Sequence, residues 1–257
     1  MGDYSVKQGK GETNYNSFGS LMIIIEFKNT RNIIVYFPEY KWKTKTTYAN
    51  FTRGNIHCPY EPRIRGKGFM GEGEYGSRGN DVRCYDTWNK MLERCYSEEF
   101  HDKHPTYTGC TVCDDWLNYQ NFAAWYYDNF YDCFNGDRMC LDKDILYKNN
   151  KIYSPETCIF VPARINKLFT KRQVFRGDCL IGTRKDPKCT TEIWITTCHG
   201  VDGKMQYLGR FRTQQEAFIV YKSFKEKTIK LIADEYKDLI PMRLYNALYN
   251  YVVEEND

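Results

Sequence analysis

Apolar residues fall along this chain in three successive patterns. From residue 1 to about 75 they come in short runs broken by turn-forming residues. Met22 to Phe27 and Ile33 to Phe37 are strand-length runs, and the polar stretch 28–32 between them predicts a turn. Tyr48 to Phe51 and Asn55 to Cys58 are expected as further edge pieces of the same β-rich module. A glycine-rich run, 66–76, follows. No apolar strand feeds it and no Gly-Lys-Ser/Thr ends it, so it reads as a turn-rich ribbon or linker rather than a phosphate loop.

From 76 to 172 the period changes to that of a helix. Tyr85, Trp88, Met91, Leu92 and Cys95 make one apolar face, and Trp116, Tyr119, Phe122, Ala123, Tyr126 and Phe130 make a second. Thr111 to Cys113 is a short strand between them. A strand near 139–145, a turn at 148–151, a strand near 157–161 and a helix from about Ala163 complete this segment.

From 173 to 257, Leu180 to Arg184, Glu192 to Cys198 and Met205 to Phe211 predict three strands. Thr213 and Glu216 form a capping box that starts a long helix, with Ala217, Tyr221, Phe224, Leu231, Ile232 and Tyr236 on its buried face. Pro241 starts a last short helix bearing Leu244, Ala247, Leu248 and Tyr251. Alternation along the second strand places Ile193, Ile195 and Thr197 inward and Trp194, Thr196 and Cys198 outward. The fold class is therefore α+β: a small β module, a helical segment with a hairpin, and a three-stranded antiparallel sheet packed on a long helix.

Composition changes this picture little. The chain has 257 residues, 27 % charged and 42 % hydrophobic, as in ordinary globular proteins. A net charge of +4 permits nucleic-acid binding without requiring it, so any basic surface must be local. No apolar run approaches the ~18 residues of a membrane span, and a membrane partner is not expected. Eleven cysteines at irregular spacings read as reduced thiols in a cytosol.

Two clusters suggest chemistry. His101, His104, Cys110 and Cys113 have ligand types that suit a zinc ion, although the parity of Cys110 and Cys113 brings both sulfurs to one side only in a turn. In the hairpin, Asp142 and Asp144 are candidate Mg²⁺ ligands. The plainer reading is that they satisfy the turn and neighbouring cations.

The hairpin with Asp142-Lys143-Asp144, Cys158 and Asn166, together with the upstream helix of Tyr85, Trp88, Met91, Arg94, Cys95 and Tyr96, resembles phage-encoded HNH-like proteins. The resemblance implies that Asp142 stands where that family has a metal-binding acid, Lys143 where it has the base histidine, and Asn166 where it has the last metal-side residue. An ammonium near its ordinary pKa has no lone pair with which to deprotonate water and repels a metal ion, so a retained scaffold without cleavage is expected. Gly182, Leu208, Gly209, Phe211, Thr213, Glu216, Ala217 and Tyr221 resemble the Apetala-type (ethylene-response-factor) DNA-binding domain that follows such modules in mobile-element endonucleases. That family lays its sheet in the major groove of duplex DNA. The implied contacts are Arg184, Trp194, Thr196, Cys198 and Tyr207, flanked by Lys185, Lys188, Lys204, Arg210 and Arg212. The resemblance thus implies a DNA-binding protein of phage or mobile-element origin, acting in the cytoplasm of an infected bacterium. Two alternatives stand beside it. One is an active metal-dependent nicking endonuclease. The other is an anti-defence inhibitor that binds a host defence protein or ribonucleoprotein.

Overall fold

The computed structural model describes residues 9–133, 136–170, 179–189, 192–255 and 257. The chain divides into two compact units, 1–127 and 128–257.

The first unit opens with an antiparallel meander: β1 (Thr13–Tyr15), β2 (Leu21–Asn29), β3 (Asn32–Phe37) and β4 (Trp42–Thr46), hydrogen-bonded in that order. Alternation buries Met22, Ile24, Ile33, Val35 and Phe37 on one face, where Phe51, Ile56 and Cys58 join them. The expected edge strand at Tyr48–Phe51 is instead a short helix, α1 (Tyr48–Thr52). Thr47 decides it: its hydroxyl accepts the Asn50 N–H at 3.2 Å, and the turn this starts drives Phe51 into the core.

Helices follow: α2 (Val82–Tyr96), α3 (Glu98–Lys103) and, beyond the two-residue strand β5 (Thr111–Val112), α4 (Tyr119–Asn129). The predicted faces of α2 and α4 are the buried ones, with Trp88, Met91, Leu92, Tyr119, Phe122 and Ala123 wholly closed to solvent. Trp116 lies just ahead of α4, and its carbonyl accepts the Trp88 indole N–H at 2.7 Å. The glycine run is a packed ribbon. A Cβ on Gly68 would lie 2.4 Å from Leu92 and 2.9 Å from Trp88, so only a hydrogen fits where the ribbon crosses α2. Gln120 fastens the ribbon by donating to the carbonyls of Met70 and Tyr75.

The second unit contains β6 (Met139–Asp142), the two-residue β7 (Ile152–Tyr153), β8 (Ile159–Pro162) and the single helical turn α5 (Ala163–Asn166). β6 and β8 pair antiparallel from Met139 opposite Pro162 to Asp142 opposite Ile159. Beyond them, β9 (Thr183–Lys185), β10 (Trp194–His199) and β11 (Met205–Phe211) form an antiparallel sheet ordered β11-β10-β9. The long helix α6 (Gln214–Glu235) packs on it, and α7 (Met242–Tyr249) packs on α6. Both halves of the predicted capping box are made between Thr213 and Glu216. Among the described residues, no helix is long and apolar enough to cross a membrane.

Candidate nucleic-acid interface

The hairpin residues are turned toward structure. At the end of β6 the Asp142 carboxylate accepts the backbone N–H groups of Asp144 at 2.9 Å and Ile145 at 2.7 Å, closing the turn locally. Burial, reinforced by the Asp144 charge, pushes the Asp142 carboxyl up to about 6. Lys143 is only 7 % exposed. Its ammonium meets Asp144 Oδ2 at 3.1 Å and lies 5.8 Å from the centre of the Tyr153 ring. Asn150 clamps the same loop by donating to the carbonyls of Lys143 and Ile152, each at 2.7 Å. Asn166, half-buried, ends α5. The plainer reading of the acids is therefore the geometry present: Asp142 serves the turn and Asp144 serves Lys143.

The four candidate zinc ligands are not gathered into one cluster. Among the described residues, no three His, Cys, Asp or Glu side chains converge to hold a metal ion. His101 Nε2 lies 2.8 Å from the Arg94 carbonyl oxygen, and the exposed His104 ring packs on Phe100 with centroids 4.5 Å apart. Cys110 is buried at 2 % exposure, while Cys113 is half-exposed. The helix α3 and the turn after it spend the histidines on local contacts.

The sheet of the second unit gathers most of the predicted basic residues, but its faces are exchanged. Cross-strand partners share a face. Ile195 stands between Arg184 and Arg210, Thr197 is opposite Tyr207, and His199 is opposite Met205. On the other face Trp194 stands between Lys185 and Phe211, Thr196 stands between Thr183 and Gly209, and Cys198 is opposite Gln206. Cys198 packs against Phe218 and Tyr221 of α6, so this second face is the one the helix covers. Trp194 is 8 % exposed and Thr196 is sealed, its hydroxyl donating to the Gly182 carbonyl at 2.7 Å. The expectation that Trp194, Thr196 and Cys198 point outward is overturned. Ile195 is buried, as its type suggested, but on the far face, in register with an arginine on each neighbouring strand. A one-residue error in facing inverts a whole strand.

A β-bulge completes the open face. Register shifts between Thr196 and Thr197, so Leu208 is the extra residue, and Gly209 beside it has φ +141°. The added residue puts Tyr207 and Arg210 on the same side although they are three apart. Tyr207 is 61 % exposed and Met205 58 %. Arg184, Lys188, Lys204 and Arg212 are exposed as well. Arg210 is held by an ion pair to the buried Asp186 carboxylate. The Lys188 backbone N–H, ahead of that guanidinium, keeps Asp186 below the usual carboxylate range. Lys185 leaves the group: it lies on the helix-side row, ion-paired to Glu192 at 2.5 Å and 5.4 Å from the Trp194 ring centre. His199 and Met205 join the face without having been expected there. The parity of β10, taken from Cys198 as a buried apolar residue, is the signal that finds them.

What the face offers is two guanidinium groups in one row, an exposed phenol and a thioether, on rigid strands backed by a helix. Comparisons with family models, with curated proteins and with solved structures return no match to this chain.

Proposed function

We propose that this chain binds duplex DNA through the far face of the β9–β11 sheet and does not cleave it. The reading rests on the placement of Arg184 and Arg210 across Ile195, with Tyr207 and Met205 beside them, opposite the face that α6 covers. A ribbon of this width enters the major groove, where guanidinium groups bind guanine edges or phosphates. The antiparallel β6–β8 pair followed by α5 supports an HNH-like ancestry for the hairpin. Lys143, buried and ion-paired at the position the resemblance gives to the base, supports a scaffold without hydrolysis.

Titration of a labelled duplex at two salt concentrations tests the binding half. Binding at about 50 mM salt that weakens roughly a hundredfold by about 200 mM corresponds to about four neutralised phosphates. Arg184→Ala weakens it further, by about tenfold, because a contact to base or backbone is lost. No duplex binding at low salt rejects the reading. Supercoiled plasmid stays intact with Mg²⁺ or Mn²⁺, and nicking by the pure chain rejects the non-cleaving half.

A further inference from the structure

The first unit carries another open sheet face. The inner side of the β1–β4 meander is closed: Met22, Ile24, Ile33, Val35 and Phe37 have no exposed surface. On the outer side the register lines up Thr13, Ile23, Tyr36 and Lys43 in one row across all four strands. Glu26, Ile34 and Lys45 make a parallel row, and Tyr15 stands opposite Leu21. Leu21, Ile23, Ile34 and Tyr36 keep part of their surface open, Tyr15 is 63 % exposed, and Lys43 and Lys45 are exposed. Lys41, in the turn that leads into β4, adds a third exposed cation. Glu26 is ion-paired with Lys28 at 3.3 Å.

Lysines on an edge strand are a common guard against edge-to-edge aggregation, and that accounts for Lys43 and Lys45 alone. It does not account for an apolar strip left open beside them, with a phenol at each side. The charge calls for an anion and the rings for flat partners. The lysine edge and Tyr15 lie on opposite borders of the sheet, three strand spacings or about 14 Å apart. A peptide that adds to an edge runs along the strands and reaches only one border. A chain that crosses the strands reaches both, as single-stranded nucleic acid does on aromatic sheet platforms.

We propose that this outer face binds single-stranded nucleic acid. Bases stack on Tyr15 and Tyr36, and phosphates meet Lys43, Lys45 and Lys41. The site is separate from the duplex-binding face of the second unit and does not depend on it.

The test uses the full chain and a fluorescent twenty-nucleotide oligothymidylate, read by anisotropy, with an unlabelled duplex measured in parallel. Tyr15→Ala weakens oligothymidylate binding about tenfold, in line with the loss of one stacked base. The double variant Lys43→Glu/Lys45→Glu weakens it at least as much, and neither variant changes duplex binding. Arg184→Ala leaves oligothymidylate affinity unchanged, so this site and the duplex site fail separately. Tyr15 and both lysines are exposed, and an unchanged melting temperature confirms the fold of each variant. A wild-type chain that does not hold the oligonucleotide overturns the proposal, as does an affinity indifferent to either variant. Loss in the lysine variant with none in Tyr15→Ala also overturns it, because the face would then be a general polyanion patch open to acidic proteins.

Discussion

Asp142 occupies a position where its oxygens are needed and its charge is disfavoured. Two backbone N–H groups converge on one carboxylate oxygen, while burial and the Asp144 charge push the group up to about 6. The folded chain therefore keeps a proton on Asp142 over a range in which the unfolded chain has released it. The sign follows: folding stability falls as pH rises from about 4 to about 6 and is level above that range. Asp142→Asn keeps the accepting oxygen and removes the charge. It raises stability at neutral pH by about 1–2 kcal/mol and flattens the slope in urea melts across that range. Asp142→Ala orphans both N–H groups and destabilises by about 1–2 kcal/mol near pH ~4, a cost that shrinks as pH rises through about 6 because the variant also sheds the disfavoured charge. A pH slope in Asp142→Asn equal to that of wild type would remove this account of the turn. The acid's service to the turn was legible, since Asp followed by two polar residues is a turn signal. The burial of Lys143 was not, because Tyr153 and Asn150, which enclose it, come from the return arm of the loop.

At the scale of elements, local signals located most of the structure and tertiary contacts set its orientation. The capping box at Thr213, the helix it starts and the bounds of β11 follow from neighbouring residues alone. The facing of β10 does not, because alternation states which residues share a side and not which side is covered. Gly182 is where the covered side is fixed. It has φ +73°, and a Cβ there would lie 2.0 Å from the Tyr221 ring, so this side chain of α6 lies directly against the backbone just ahead of β9. The Thr196 hydroxyl donates to the carbonyl of the same residue. Gly182→Ala is expected to destabilise by about 2–4 kcal/mol, combining an unfavourable backbone conformation with overpacking. In a Tyr221→Ala background, itself destabilised by loss of the buried ring, Gly182→Ala costs less, because the overpacking part is gone while the backbone part persists. A urea midpoint for Gly182→Ala within error of wild type would mean that α6 does not sit on this face.

At the scale of the whole chain, the division into units is the part least visible in a linear reading. The periodicity changes near residues 75 and 172, whereas the compact units meet after residue 127. The reason is long-range: Trp88 bonds the Trp116 carbonyl and Gln120 reaches back to Met70 and Tyr75, which joins the glycine ribbon to both helical faces, and Trp42 of the meander donates its indole N–H to Glu72 of that ribbon at 2.9 Å. The cysteines report on this packing across both units. All eleven are thiols; seven are buried, and Cys113, Cys140, Cys179 and Cys189 are half-exposed. Burial pushes the Cys58 thiol up to about 11 and Cys84 up to about 12, and a thiol that holds its proton is a poor nucleophile. Iodoacetamide at about pH 7.5 should therefore label no more than those four rapidly in the native chain, whereas in denaturant without reductant it should add eleven labels to the intact mass. Fewer than eleven in denaturant would reveal a disulfide. Rapid native labelling at Cys84 or Cys58, located by peptide mass, would show that the core around Trp88 or Phe37 opens far more readily than its packing implies.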